Sequence, residues 1–230
     1  MTVTVIPVDE IGEVEPGSDL AGLLAGRLRT IGVHQGDILV VTQKVISKAE
    51  GAMVEAIDDA AYRRVIEAES AEVLRRRGEM VISVTRHGFV CANAGVDRSN
   101  VPAGYVALLP RHPDRSAARL RQRLGRELEV DLAVVITDTF GRAWRSGLVD
   151  VAIGVAGMDP ILDLIGTPDM QGRILEVTEV AVADEVAAAA ELVMGKARGV
   201  PAALVRGVEY TRGDGKATDL VRDPAQDLFR

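Results

Sequence analysis

Short apolar runs and stretches with helical periodicity alternate along this chain. The alternation from Val3 to Pro7 is typical of a strand. An apolar stripe from Leu20 to Ile31, preceded by Ser18 and Asp19 as possible caps and followed by Gly32, predicts a helix. The branched run from Ile38 to Val41 predicts a buried strand, because it is short and turn residues flank it.

Further elements follow from the same criteria. Strands are predicted at Met80–Thr85, Val106–Leu109, Val130–Thr137 and Ala202–Val205, and helices at Asp59–Arg77, Ser116–Arg126 and Asp184–Ala197. No linker or internal repeat divides the 230 residues. The sequence therefore predicts a mixed α/β (α+β) fold in which helices flank mixed sheets. It forms either one domain over residues 1–230 or two interwoven subdomains.

Composition and charge narrow the classes of function. Aromatic residues make up only 3% of the chain, which argues against stacking single-stranded nucleic acid on aromatic side chains. The net charge is −7, which argues against a general polyanion binder, and no nucleic-acid partner is expected. The apolar runs are too short to span a membrane, and the N-terminal segment lacks the basic start of a signal peptide. We therefore expect a cytoplasmic protein with no membrane partner.

Two features have structural interpretations. Cys91 is the only cysteine and stands outside any metal-ligand spacing, so a buried, reduced thiol is predicted. The arginines between Arg115 and Arg126 share their segment with Leu120, Leu124 and Leu128 at helical spacing. We interpret them as the solvated face of a helix rather than as a nucleic-acid patch.

Polar side chains follow the buried strand at Ile38–Val41. The segment from Thr42 to Gly51 contains Gln43, Lys44 and Lys48, and it is predicted to be a loop. Because α/β proteins bind ligands where strands end, these groups can contact phosphate oxygens. A solvated loop without a ligand is an equally favoured interpretation of this segment alone.

Two aspartates stand in settings that suit a hard cation. Asp97 and Asn100 follow a stretch of small residues, and Asp138 follows the predicted strand at Val130–Thr137. Carboxylate oxygens are preferred ligands of Mg²⁺, and a strand holds such a ligand rigidly. An Asp-x-x-Asn turn is also a common capping device, so Asp97 is a weak signal by itself.

Two further segments add basic groups beside glycines. Arg142 and Arg145 can clamp a phosphate or a carboxylate, and Trp144 between them is interpreted as a packing anchor. The Gly-Asp-Gly-Lys segment at Gly213–Lys216 lacks the spacing of a phosphate-binding loop and is also typical of a hairpin tip. Spacing alone therefore predicts a metal-assisted anion site and leaves the substrate open.

Longer motifs, in the same order along the chain, resemble the coenzyme F420-0:γ-glutamyl ligase family. They are VIPVDEIGEVEPGSDL, GDILVVTQKVISKAEG, HGFVCANAGVDRSNV, DTFGRAWRSGLVDVAIGVAGM and the closing DLFR. Family members often have Pro where this chain has Ala143. The resemblance implies the family's ligase fold without the nitroreductase-like second domain of some relatives. It also implies a homodimer, and the apolar stretch Val151–Met158 is compatible with a buried interface.

The activity implied by the resemblance is GTP-dependent addition of L-glutamate to coenzyme F420-0, followed by further γ-linked glutamates. GTP would convert a carboxylate into an acyl phosphate, and the amine of glutamate would then displace phosphate. Mg²⁺ or Mn²⁺ is implied, with K⁺ as a further cation. Two alternatives stay open: another nucleotide-dependent carboxylate–amine ligase, and a non-catalytic GTP-binding protein on the same fold.

The resemblance also implies roles for residues that match the family's motifs. By this resemblance, the metal ligands are Asp97, Asp138, Thr139 and Glu209. Its nucleotide contacts are Ile11, Gly12, Glu13, Val14, Gln43, Lys44, Lys48, Asn100, Gly207, Val208, Glu209, Tyr210, Thr211, Arg212, Gly213 and Asp214. A catalytic role falls to Lys48 and, by their chemistry, to Arg142 and Arg145, which we expect to face phosphates or substrate carboxylates.

Overall fold

The computed structural model describes residues 2–228, so the last two residues of the DLFR motif, Phe229 and Arg230, lie outside it. The strands are β1 (Thr4–Val8), β2 (Ile38–Thr42), β3 (Met53–Glu55), β4 (Ser70–Arg77), β5 (Met80–Thr85), β6 (Val90–Ala92), β7 (Tyr105–Ala107), β8 (Ala133–Arg142), β9 (Arg145–Ala156), β10 (Leu162–Asp163), β11 (Glu179–Val180) and β12 (Ala202–Arg206). The helices are α1 (Leu20–Ile31), α2 (Gln43–Ala49), α3 (Asp59–Glu69), α4 (Pro113–Leu128) and α5 (Val182–Met194). The mixed α/β class predicted from the sequence is confirmed.

A five-stranded sheet with the order β1-β12-β2-β8-β9 forms the centre of the molecule. Strands β2 and β8 are parallel, and every other pairing in this sheet is antiparallel. The register places Thr42 opposite Thr137, so β2 delivers the chain into α2 beside the point where β8 reaches Asp138. The side chains that follow Thr42 and Thr137 are therefore brought to one edge of the sheet.

Helices α4 and α5 pack against parts of this sheet. An aspartate near the N-terminus of each helix also accepts a hydrogen bond from the backbone of the edge strand β9. Asp184 of α5 accepts a hydrogen bond from the Ala152 N–H (2.8 Å), and Asp114 of α4 accepts one from the Val155 N–H (2.8 Å). At Gly154 between them, an added Cβ would lie 2.7 Å from the Pro113 carbonyl carbon. Glycine is needed there because the start of α4 touches the strand backbone.

Three smaller sheets lie outside the central sheet. They have the orders β4-β5-β6, β3-β7 and β10-β11. A separate small core, made of Ala56, Ile66, Val81, Ala94, Val96 and Val106, lies between the first two of these sheets and α3. The division of the chain into one domain or two subdomains stays a prediction.

Two local predictions were wrong. The helix predicted over Asp59–Arg77 ends at Glu69, and the remainder is strand β4, which pairs with β5 across a turn at Gly78. Here the cross-strand pairing outweighs a local sequence that also suits a helix. The loop predicted over Thr42–Gly51 is largely helix α2, in which Gln43, Ile46 and Ser47 are buried.

Two expectations for the region after Asp138 also fail. Ile153, Val155 and Met158 belong to the apolar stretch considered for a subunit interface, yet they are buried in this chain's own core. Trp144 is no packing anchor, because it lies at the tip of the β8–β9 hairpin with 85% of its surface exposed. By contrast, the solvated face of α4 is confirmed: its arginines lie outside the stripe formed by Ser116, Leu120 and Leu124.

No helix within residues 2–228 is both long enough and apolar enough to cross a membrane.

The thiol of Cys91 is predicted to be unreactive in the folded protein. Cys91 is buried on β6, as the sequence predicted, and burial together with the nearby charge of Asp138 raises the pKa of its thiol to about 12. Because the thiolate is the reacting form, alkylation at pH 8 should be at least about 100-fold slower in the native protein than in urea. The unfolded chain, which should label once, is the control. Native labelling within minutes would contradict this environment.

Candidate active site

A cavity of about 450 Å³ opens at the edge of the central sheet where β2 ends. It is lined by Gly12, Glu13, Val14, Thr42, Lys44, Val45, Lys48, Asn100, Asp138, Thr139, Asp150, Glu191, Met194, Gly195, Lys196, Ala197, Gly199, Val200 and Pro201. The Thr42 N–H donates a hydrogen bond to the Pro201 carbonyl (2.9 Å), which holds the start of β12 at this edge. Segments distant in the sequence therefore meet around one cavity.

Asp138 carries the most strongly perturbed carboxyl group of the cavity wall. Desolvation is the main cause that raises its pKa to about 7, and the negative charges of Asp97 and Asp150 add to it. The hydrogen bond from the Thr139 N–H, which is the second-largest effect, and the weaker effect of Lys44 both lower the pKa without outweighing desolvation. A cation in this position would relieve the repulsion among these acids.

Lys44 and Asp97 form an ion pair beside Asp138. The Lys44 Nζ lies 2.9 Å from Asp97 Oδ2 and donates a hydrogen bond to Ser99 Oγ (2.6 Å). Desolvation alone would raise the pKa of Asp97, but the hydrogen bonds from Lys44 and Ser99 outweigh it and hold the pKa below its usual range. Asp97 is therefore a carboxylate whose present partner is an ammonium group.

Asp150 of β9 is a second carboxylate in the cavity wall. It is only 3% exposed, and each of its oxygens accepts a hydrogen bond from a threonine of β8. Thr139 Oγ1 lies 2.6 Å from Oδ1, and Thr137 Oγ1 lies 2.9 Å from Oδ2. These contacts follow from the ladder, in which Thr139 stands directly opposite Asp150.

Basic groups line the same cavity as these acids. Lys44, Lys48 and Lys196 all line it. The Asn100 side-chain amide approaches the Lys196 carbonyl at 3.5 Å, so the turn after Asp97 meets the segment after α5. Glu191 also lies on the wall; desolvation and the charge of Asp150 raise the pKa of its carboxyl. The arrangement offers ammonium groups to anions and oxygen ligands to a cation.

The oxygen atoms in this wall suit a hard divalent cation that takes its remaining ligands from a bound substrate and water. Within residues 2–228, no three side chains of His, Cys, Asp or Glu converge as a complete metal centre. The cavity does present the Asp138 carboxylate and the Thr139 hydroxyl, with Asp97 beside them. Mg²⁺ is commonly held in this way, by one or two carboxylates together with water and substrate phosphates.

The structure brings many of the predicted residues to this cavity. Those that line it are Gly12, Glu13, Val14, Lys44, Lys48, Asn100, Asp138 and Thr139. Asp97 does not line the cavity itself but forms an ion pair with Lys44, which does. Ile11 is buried in the core, and Gln43 is fully buried, where its Oε1 accepts a hydrogen bond from Ser47 Oγ (2.8 Å). Ile11 and Gln43 therefore support the wall rather than line it.

The segment from Gly207 to Asp214, including Glu209, lies at the opposite end of the sheet. Strand β12 starts at the cavity and runs antiparallel to β2, so the chain after Arg206 emerges where β2 begins. Two contacts hold this segment there: Arg212 pairs with Asp131 (2.8 Å), and Thr211 O accepts a hydrogen bond from the Asp159 N–H (2.9 Å). Within this chain the segment does not reach the cavity of Asp138.

Arg142 and Arg145 also lie away from the cavity. They flank the tip of the β8–β9 hairpin and are exposed, and Arg142 donates a hydrogen bond to the Ser146 carbonyl (2.9 Å). Neither side chain lines the cavity. Their expected contact with phosphates or substrate carboxylates stays a prediction, because neither side chain reaches the cavity of its own chain.

Several residues that also line the cavity were not identified from the sequence. They are Asp150, Glu191 and the segment from Met194 to Pro201 with Lys196. Asp150 left a signal, since it is a single acid between the apolar residues Val149 and Val151. Met194–Pro201 joins the end of α5 to β12 and contains two glycines and a lysine, which is typical of a ligand-binding loop.

The fold and the cavity define an α/β protein with a cavity whose wall carries both ammonium groups and carboxylates. Comparison with known proteins specifies the family. The sequence model of the F420-0:Gamma-glutamyl ligase family matches residues 9–207, and the chain belongs to this family.

Relatives named coenzyme F420:L-glutamate ligase match over the whole chain. The relative from Methanothermobacter thermautotrophicus is 43% identical over 251 aligned positions, which cover 100% of both chains. The relative from Methanopyrus kandleri is 42% identical, covering 100% of this chain and 98% of its own. The relative from Archaeoglobus fulgidus is 39% identical, covering 100% of this chain and 97% of its own.

Proposed function

We propose that this protein is a coenzyme F420:L-glutamate ligase that adds L-glutamate to coenzyme F420-0 at the expense of GTP. The observation that carries this proposal is the end-to-end similarity to relatives of that name, at 39–43% identity. The cavity supports it, because ligation of two anionic substrates requires both ammonium groups and a bound cation near the reacting carboxylate.

Lys44, Lys48 and Lys196 are the proposed phosphate-binding groups. All three line the cavity, and the backbone of Gly12 to Val14 forms another part of its wall. Lysine ammonium groups neutralise phosphate oxygens and can follow the charge as it moves during phosphoryl transfer. This placement supports binding of the nucleotide with its phosphates directed toward Asp138.

Asp138 and Thr139 are proposed to hold Mg²⁺ or Mn²⁺, with Asp97 as a further ligand. When bound, the cation neutralises the phosphate oxygens and polarises the phosphoryl group that is transferred. Asp97 is paired with Lys44 through Oδ2 in this structure, so metal coordination by this oxygen requires that ion pair to open. A freed Lys44 ammonium could then contact a phosphate.

Two balanced steps complete the proposed reaction. A carboxylate oxygen of the coenzyme attacks the γ-phosphorus of GTP, the bond to the bridging oxygen breaks, and an acyl phosphate and GDP result. The α-amino nitrogen of glutamate then attacks the acyl carbon and loses a proton, the C–O bond breaks, and an amide and inorganic phosphate are formed. The contribution of the protein is to position both substrates and neutralise their charge.

The direct test is a mass-spectrometric assay with coenzyme F420-0, L-glutamate, GTP and either Mg²⁺ or Mn²⁺. The proposal expects products heavier by one or more glutamyl units, only when both GTP and metal are present. ATP in place of GTP, and other carboxylic acids in place of the coenzyme, distinguish a different carboxylate–amine ligase. Nucleotide binding without phosphate release would instead support a non-catalytic GTP-binding protein.

Lys48→Met is expected to weaken GTP binding by about 10- to 100-fold, because one charge-assisted hydrogen bond to phosphate is lost. Lys48 lies in the last turn of α2 and lines the cavity. Calorimetric titration with GTP measures the change. Lys216→Met makes the same substitution at an exposed lysine outside the cavity and should bind GTP normally. Equal affinities for the two variants would remove Lys48 from the nucleotide site.

Exposed apolar side chains support a homodimer as part of the proposal. They lie on the β8–β9 hairpin and on the segment between β10 and β11: Trp144, Leu148, Ile165, Met170, Ile174 and Val177. Large exposed apolar side chains commonly mark a protein interface where they form a contiguous patch. Light scattering should give twice the chain mass, and a monomer mass would contradict the dimer.

A further inference from the structure

We propose that Asp150 is a positioning residue, which holds the Thr139 hydroxyl so that only its lone pairs face the divalent cation. The inference rests on the proposed function, because it assigns a task to a residue in the wall of the same cavity. Asp150 acts through Thr139 and is not itself assigned as a metal ligand. Its role lies in the orientation of a neighbouring oxygen.

The hydrogen bond between the two residues determines what Thr139 can offer. Thr139 Oγ1 donates to Asp150 Oδ1 at 2.6 Å, and a hydroxyl has a single proton to donate. Its remaining capacity is two lone pairs. Toward the cavity, Thr139 is therefore a ligand for a cation or an acceptor for a lysine, and it cannot donate to a phosphate oxygen.

The other oxygen of Asp150 has a hydrogen-bond partner of its own. Its Oδ2 accepts a hydrogen bond from Thr137 Oγ1 (2.9 Å), and Thr137 is fully buried. The side chain of Asp150 makes no salt bridge among the described residues, so the two threonines are its defined hydrogen-bond partners. Both oxygens therefore act as acceptors, and the oxygen that faces Thr139 can keep that role when the Thr137 hydroxyl is absent.

An amide in the position of Asp150 cannot reproduce this pattern. Asn has nearly the same shape as Asp, but it presents one acceptor and one donor group to the two threonines. At least one hydroxyl must then reverse or lose its partner. Thr139→Val removes the hydroxyl altogether, and Thr137→Val removes only the hydroxyl that points away from the cavity.

The test measures Mn²⁺ affinity from the electron paramagnetic resonance signal of the free ion, in the presence of GTP. Asp150→Asn and Thr139→Val should each weaken binding by about tenfold, as changes around metal ligands commonly do. The double variant should be no weaker than the single variants, because both changes remove the same interaction. Thr137→Val is the matched control; it should bind Mn²⁺ like the unaltered protein even where its melting temperature falls.

Several results would overturn the inference alone. These are normal Mn²⁺ affinity in Asp150→Asn, additive losses in the double variant, or an equal loss in Thr137→Val. If Asp150→Asn does not fold, Thr137→Val/Asp150→Asn replaces it: with no second hydroxyl competing, the amide oxygen can accept from Thr139, so Mn²⁺ affinity should equal that of Thr137→Val, and a loss of about tenfold there would overturn the inference. Absence of Mn²⁺ binding in the unaltered protein would overturn the metal part of the proposed function as well.

Discussion

Asp138→Asn is expected to lower kcat/KM for ligation by at least about 100-fold while the protein stays folded. Asp138 lies where β8 passes the cavity, and Asn keeps its size but removes one acceptor oxygen and the negative charge. The negative charge of Asp138, which Asn lacks, is what chiefly binds a divalent cation. Mn²⁺ affinity should fall in parallel with activity, since the same carboxylate serves both.

The thermal stability of Asp138→Asn should rise or stay unchanged, in contrast to its activity. Asp138 is desolvated and also lies near other negative charges, which raises the pKa of its carboxyl to about 7. Replacing it with a neutral amide removes that repulsion, so the melting temperature at pH 8 should be unchanged or higher.

The control for Asp138→Asn is the same substitution at Asp59. Asp59 forms an exposed ion pair with Arg98 outside the cavity, and such pairs contribute little to stability. Asp59→Asn should ligate at the rate of the unaltered protein. Full activity in a folded Asp138→Asn protein would exclude Asp138 as a metal ligand, whatever the outcome for Asp59.

Arg206→Met is expected to destabilise the fold by about 3 kcal/mol, because it leaves a buried carboxylate without its charge partner. Arg206 Nε and Nη2 donate to the two oxygens of Asp37 at 2.9 and 2.7 Å, and Nη2 also donates to the Gly32 carbonyl (2.7 Å). The side chain of Asp37 is only 2% exposed. For a chain of this size, the melting temperature should fall by about 6–12 °C.

The matched control is Arg212→Met. Arg212 pairs with Asp131 at 2.8 Å, but the two side chains are 56% and 35% exposed, so solvent screens the interaction. The expected loss is within about 1 kcal/mol. Calorimetric unfolding of both variants measures the difference. Similar melting temperatures would show that the Arg206–Asp37 pair contributes no more than a surface pair.

The sequence by itself determined the elements whose signal is local. Helix α1 has the predicted bounds, with Asp19 accepting a hydrogen bond from the Gly22 N–H and Gly32 ending the helix. Strand β2 was predicted within one residue, because a short branched run between turn residues suits a buried strand. Asp138 and Lys48 were proposed as candidates from polar segments that follow predicted buried strands, and both line the cavity, although β8 continues through Asp138 and Lys48 lies in α2.

Only the tertiary structure decided which segments meet. Strand β4 depends on pairing with β5, and Asp150 depends on the register that places it opposite Thr139. The direction of β12 is the decisive case: it brings Met194–Pro201 to the cavity and carries Gly207–Asp214 to the far end of the sheet. Strand direction and register are set by hydrogen bonds between residues far apart in the chain, and local patterns do not contain them.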